Sequence, residues 1–284
     1  VSDWKQLDQD ALERGYNARA TVPDVDAELR AYRTESTPMY QLPCARSVRY
    51  GPGADETLDI FPVPGRPDAP LFVFIHGGYW RALAKEDSVF MARNFTALGI
   101  AVAAVDYSLA PGAGLHQMVD QCRRATAWLH LHGETQRVQA RRMLVAGSSA
   151  GAHLAAMVLA GGWQQGLGVS ADLVFGGVLV SGLFDLEPVQ KTLPNSWLGL
   201  DLAQALALSP QHQLPDPARA LHIVVAERDT SEFKRQSRDY ADACQAQGNT
   251  TLFYEVPARN HFNVLFEWTD PDSALTRSVL SLLG

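Results

Sequence analysis

The chain has 284 residues, 46% hydrophobic and 19% charged, enough to bury a large core. Its formal net charge is −7 and its basic residues do not cluster, which argues against nucleic acid and anionic membranes as partners. No apolar run is long enough to span a bilayer, Ser2-Asp3-Trp4-Lys5-Gln6 holds no signal-peptide core, and Cys44, Cys122 and Cys244 lack metal-ligand spacing. A cytoplasmic protein with buried or half-buried thiols is the expectation.

Residues 8–18 and 25–36 read as polar helices, with a break at Pro23. Ser47-Val48-Arg49-Tyr50 and Thr57-Leu58-Asp59-Ile60-Phe61 alternate about the turn-rich Gly51-Pro52-Gly53-Ala54-Asp55, the pattern of a β-hairpin. From Leu71 the texture changes. Segments 71–75, 100–105, 143–146, 174–180 and 221–225 are continuous apolar runs, which suit parallel strands covered on both faces. A further strand is expected at 252–256. Helical stretches at 83–97, 116–132, 149–162, 233–247 and 271–283 separate the strands. This alternation predicts an α/β fold: a mostly parallel central sheet of about eight strands with helices on both faces. The chain, 1–284, reads as a single domain. Residues 1–40 form an amino-terminal helical segment, and the proline-broken 186–215 an irregular, cap-like insertion over the carboxyl edge of the sheet.

Gly147-Ser148-Ser149-Ala150-Gly151 fits G-x-S-x-G between a predicted strand and a predicted helix. A sharp strand-to-helix turn lifts its central serine out of the fold as a nucleophile, and the small flanking residues make the turn sterically possible. A serine hydroxyl needs a base, and the base needs an orienting acid, in the chain order Ser, Asp or Glu, His. Downstream of Ser149 stand His212, His222 and His261. His222 sits in an apolar strand and His212 beside the insertion, whereas His261 follows the last strand, at the edge where the serine turn lies. The acid is expected after the strand at 221–225, where Asp229 is preferred and Glu227 is the alternative. Asp185 is a weaker candidate, better suited to capping a helix. His76-Gly77-Gly78-Tyr79-Trp80 directly follows the strand at 71–75. Backbone N–H groups of Gly77 or Gly78, with that of Ala150, would form an oxyanion hole, and His76 reads as structural. Tyr79 and Trp80 either shape a leaving-group pocket or fill the core. Ser148 and Phe262, beside the nucleophile and the base, are further pocket candidates.

Other chemistries find little support. There is no G-x-x-x-x-G-K-[ST], no G-x-G-x-x-G in the first βα turn and no H-E-x-x-H, and His130 and His132 suit a helix carboxyl end better than a metal. No metal and no cofactor is expected.

Several segments together carry a resemblance. Among them are Tyr16-Asn17-Ala18-Arg19-Ala20 with Val22-Pro23-Asp24, His76-Gly77-Gly78-Tyr79-Trp80, Asp106-Tyr107-Ser108-Leu109-Ala110-Pro111, Ser149-Ala150-Gly151-Ala152-His153-Leu154, Ser181-Gly182-Leu183-Phe184-Asp185-Leu186, Glu227-Arg228-Asp229 and Asn260-His261-Phe262. Through most of its length the chain resembles α/β-hydrolases of the hormone-sensitive-lipase-like esterases. It is more closely similar to the kynurenine formamidase (arylformamidase) family and its related bacterial esterases. The resemblance implies Ser149 as nucleophile, His261 as base, Asp229 as orienter, oxyanion donors at Gly77, Gly78 and Ala150, and no cofactor. Thr230-Ser231 and Gly112 depart from the pattern outside the triad. The expected activity is hydrolysis of a small aryl formamide, such as N-formylkynurenine, or a carboxylic ester through an acyl-enzyme. A broad-specificity carboxylesterase is the nearer rival. A non-catalytic ligand-binding protein is the remoter one, because all three triad positions are filled.

Overall fold

The structure is a computed structural model that describes residues 4–284. The amino-terminal segment contains α1 (Gln9–Gly15) and α2 (Val25–Ser36). Asp8 and Asp24 cap them by accepting from the amides of Ala11 and Ala27 at 2.7 and 2.9 Å, satisfying donors that a helix start leaves open. The hairpin β1 (Ala45–Arg49) and β2 (Thr57–Phe61) follows, then β3 (Leu71–Ile75), α3 (Ala92–Ala97), β4 (Ala101–Val105), α4 (Leu115–His132), β5 (Met143–Ser148), α5 (Ala150–Leu159) and β6 (Val174–Val180). Three short helices, α6 (Leu186–Val189), α7 (Asn195–Leu198) and α8 (Leu202–Ala207), lead to β7 (Ala220–Ala226), α9 (Ser231–Ala246), β8 (Thr250–Val256) and α10 (Ala274–Leu283).

The strands form one sheet in the order β1-β2-β4-β3-β5-β6-β7-β8. β2 is antiparallel to both β1 and β4, and the remaining neighbours are parallel. Side chains alternate across this sheet, so each central strand feeds two cores. Leu71, Val73 and Ile75 pack with Met118, Cys122 and Leu154 from α4 and α5. Phe72 and Phe74 point the other way, to Phe95 on α3, Trp268 and Val279 on α10. Phe72 and Phe74 both meet Trp268 edge to face, at 5.3 and 5.5 Å between ring centroids. The unbroken apolar runs are the consequence of burial on both faces. Because β3 and β5 to β8 run in parallel, their carboxyl ends share one edge, and the loops leaving that edge meet there.

Two stretches differ from the expected pattern. Residues 83–97 are not one helix: a 3₁₀ turn at Lys85–Asp87 precedes α3. Asp87 accepts from the Ala84 amide at 3.0 Å, which starts this turn, and pairs with Arg33 at 2.5 Å. Residues 186–215 fold into α6 to α8 and a 3₁₀ turn at Pro210–His212; Pro194 opens α7, Gly199 ends it at φ 63°, and Pro210 opens the 3₁₀ turn. Among the described residues no helix is long and apolar enough to cross a membrane.

Candidate active site

Ser149 joins β5 to α5 with φ 56° and ψ −122°, a backbone state that a non-glycine residue adopts only under strain. Its amide donates to Val180 O at 2.9 Å, tying the turn to the end of β6. Packing is close enough that a Cβ on Gly151 would lie 2.1 Å from Ile75 O, so only glycine lets α5 start against β3. The loop after β3 lies alongside. His76 is buried, stacks on Tyr107 with ring centroids 4.3 Å apart, and directs Nδ1 to Gly77 O at 2.9 Å. The Tyr107 hydroxyl donates to His76 O at 2.9 Å, which fixes the loop from its other side. Among the described residues, no backbone carbonyl accepts from the amides of Gly77, Gly78 or Ala150.

His261 follows β8, and Asp229 lies just past β7. The two meet with Nδ1 of His261 2.6 Å from Asp229 Oδ1. The Asp229 side chain is 0% exposed and His261 5%, so the pair is shielded from solvent. Asp229 Oδ2 accepts from Ser181 Oγ at 2.5 Å and from the Ala226 amide at 2.8 Å. The preference for Asp229 over Glu227 follows from loop geometry, since Glu227 turns back to accept from the Ala258 amide at 2.5 Å. The histidine ring packs against Phe233, with centroids 4.6 Å apart. Its loop is clamped by α2: the Tyr32 hydroxyl donates to Phe262 O at 2.7 Å, and Asn260 Nδ2 to Glu28 Oε1 at 2.7 Å.

Ser149 and His261 line one cavity of about 460 Å³. Gly77, Gly78, Tyr79, Ser148 and Phe262 also line it, as does Trp197 from α7. Two of its walls come from outside the motifs: one from the expected cap-like stretch, the other from the amino-terminal segment, which carries no sequence signal for it. Leu29 and Tyr32 arrive from the amino-terminal segment, and Leu193 and Trp197 from the stretch between β6 and β7. Trp197 donates Nε1 to Tyr79 O at 3.0 Å and carries the Arg81 guanidinium over its ring at 4.4 Å. The Tyr79 hydroxyl donates to Tyr16 O at 2.5 Å, and burial pushes this phenol above its ordinary range, keeping it a donor. Trp80 corrects the pocket expectation. It is fully buried in the core, does not line the cavity, and donates its indole N–H to His153 Nδ1 at 3.3 Å. Adjacent residues here face opposite ways, so Tyr79 takes the pocket and Trp80 the core.

The remaining candidates stand apart. His222 lies within β7, His212 is exposed, and Asp185 caps α6 by accepting from the Glu187 amide at 3.0 Å. No group of three or more metal-ligating side chains occurs among the described residues. Ser181 is the contact that sequence reasoning missed. It stands in Ser181-Gly182-Leu183-Phe184-Asp185-Leu186, where Asp185 drew attention and the serine carried no partner signal.

The sheet order, the strained serine turn and the buried histidine–aspartate pair define a serine hydrolase of the α/β-hydrolase class. Solved structures share this fold. One from Silicibacter sp. TM1040 superposes with a TM-score of 0.82 at 24% identity, covering 95% of this chain and 98% of that one. Esterase B from Lactobacillus rhamnosis does so with a TM-score of 0.69 at 20% identity, covering 94% of each. The BD-FAE family model matches residues 58–169. Kynurenine formamidase of Danio rerio is 34% identical over 100% of this chain and 99% of its own length. The Drosophila melanogaster kynurenine formamidase is 30% identical over 81% of this chain and 78% of its own. The chain belongs to the kynurenine formamidase family.

Proposed function

We propose that the chain hydrolyses a small aryl formamide, of which N-formylkynurenine is the type, through an acyl-enzyme on Ser149. The observation that carries this reading is the 2.6 Å pair of Asp229 and His261 at the wall of the cavity that Ser149 also lines. Asp229 holds His261 with Nδ1 protonated, leaving Nε2 as the base. Ser149 Oγ attacks the formyl carbon while His261 takes its proton. The carbonyl oxygen gains the negative charge and is received by the free amides of Gly77 or Gly78 and Ala150. As the C–N bond breaks, His261 returns the proton to the departing nitrogen, which an arylamine needs more than an alcohol does. Water, deprotonated by His261, then attacks the formyl ester, and formate and Ser149 are released.

The family relationship supports the formamide, and the cavity supports a second reading. At about 460 Å³ it has room for an aryl leaving group and also for acyl groups larger than formyl, so ester turnover is a further activity to test. Measuring kcat/KM on N-formylkynurenine and on short p-nitrophenyl esters separates the two. Preference for esters of longer acyl groups would overturn the formamide reading. Ser149→Ala is expected to lower kcat by several orders of magnitude and to abolish fluorophosphonate labelling. Near-normal turnover in that variant would overturn the mechanism. We read the whole chain as one domain in which the stretch 186–215 caps the cavity. Three free cysteines, Cys44, Cys122 and Cys244, support a reducing, cytoplasmic setting.

A further inference from the structure

We propose that Ser181 is a positioning residue for this reaction, its hydroxyl fixing the second oxygen of Asp229 and thereby the aim of His261. The inference rests on the reading of Asp229 as the group that orients His261. Ser181 stands one residue past β6, is fully buried, and donates Oγ–H to Asp229 Oδ2 at 2.5 Å. The Ala226 amide reaches the same oxygen at 2.8 Å, and Oδ1 faces His261 Nδ1 at 2.6 Å. A carboxylate held at one oxygen can turn about its Cβ–Cγ bond, and the turn would carry Oδ1 out of line with the imidazole. Two donors on Oδ2 oppose that rotation. Both are already in place before substrate arrives, so no reorganisation is needed during reaction.

The backbone points the same way. Ser181 has φ +49°, a conformation that glycine adopts freely and other residues at a cost. Its amide donates to Val224 O at 2.7 Å, inside the β6–β7 ladder, so the residue cannot relax without disturbing the sheet edge. Val180, immediately before it, accepts from the Ser149 amide at 2.9 Å. Two consecutive residues at one strand end therefore hold the nucleophile's backbone and the acid's carboxylate. The spacing of Ser149 and Asp229 is set by a rigid sheet edge rather than by two independent loops.

The test compares Ser181→Gly and Ser181→Ala with Asp229→Asn in the full chain. Glycine relieves the positive φ while removing the hydroxyl, so it separates stability from activity. Ser181→Gly is expected to unfold cooperatively near the wild-type Tm, relief of the positive φ offsetting part of the lost hydrogen bond, yet to lose kcat by roughly tenfold to hundredfold, the scale of a hydrogen bond to a charged group. KM is expected to stay near wild type, Ser149 to label more slowly with fluorophosphonate, and the acid limb of kcat/KM against pH to move. Wild-type kcat in Ser181→Gly would overturn the proposal, as would a loss of kcat with an unmoved acid limb. If Asp229→Asn itself keeps wild-type kcat, the reading of Asp229 fails. If Asp229→Asn is crippled and Ser181→Gly is not, only the role of Ser181 fails.

Discussion

Gly77 packs on Ser149: a Cβ built on it would lie 3.4 Å from Ser149 Cβ and 2.8 Å from Ser148 O. The second distance is too short for any real contact, and the obstacle is backbone, which cannot swing aside. The loop that carries the Gly77 and Gly78 amides, the oxyanion donors of the proposed mechanism, can approach Ser149 only without a side chain at Gly77. Gly77→Ala is therefore expected to displace this loop and to cut kcat by about a hundredfold, the cost of losing one oxyanion donor. The fold should survive, since the displaced segment is a loop. Steady-state kinetics with circular dichroism checks both halves, and an active Gly77→Ala enzyme would remove these amides from the mechanism.

Stability should depend on pH through His153. This side chain is fully buried, accepts from Trp80 Nε1 on Nδ1 at 3.3 Å, and donates from Nε2 to Leu208 O at 2.8 Å. Both ring nitrogens are thus committed to the neutral form, and a second proton would set two N–H groups against each other. Burial lowers its pKa from 6.5 to about 4. Above pH 6.5 neither the folded nor the unfolded chain protonates it, and its contribution is fully present. As pH falls from 6.5 towards 4, only the unfolded chain binds the proton, so folding stability declines by about 3 kcal/mol and then levels. Urea unfolding of wild type and His153→Gln across this window tests the assignment. Equal slopes in the two proteins would exclude His153 as the source.

Trp197 forms a wall of the cavity, and its hydrogen-bond and ring partners are Tyr79 and Arg81. Its ring lies edge-on to Tyr79, with centroids 6.2 Å apart, and under the Arg81 guanidinium. An aromatic wall that holds substrate and transition state alike affects binding rather than chemistry. Trp197→Ala is expected to raise KM several-fold for an aryl formamide while kcat stays within about twofold of wild type. A fall in kcat at constant KM would show instead that Trp197 acts through the Tyr79 loop.

Much of this architecture was legible because its signals are local. The apolar runs at 71–75 and 174–180 reflect burial on both faces, and β3 and β6 occupy those positions. The alternating 57–61 forms β2, which is buried on both faces all the same, because Asp59 finds partners in Tyr40 and the Ser47 amide. Ser149, His76-Gly77-Gly78, Asp229 and His261 were recognisable because each follows a strand that patterning alone could find. Trp80 was not separable from Tyr79, since facing is decided by a positive φ at both residues, 60° and 52°, which no periodicity encodes. The amino-terminal helices read only as polar. That Leu29 and Tyr32 wall the cavity depends on contacts with the His261 loop, more than two hundred residues away.

By itself the sequence determined the α/β class, the order of strands and helices along the chain, and the kinds of group available for acyl transfer. Residue type and short-range spacing suffice for these. Only the tertiary structure decided the partners: Asp229 rather than Glu227 for His261, Ser181 behind Asp229, and α2 with α7 around the cavity. The parallel sheet is the reason. It aligns the carboxyl ends of strands that are distant in sequence, and which loop side chain then meets which is set by backbone direction at that shared edge.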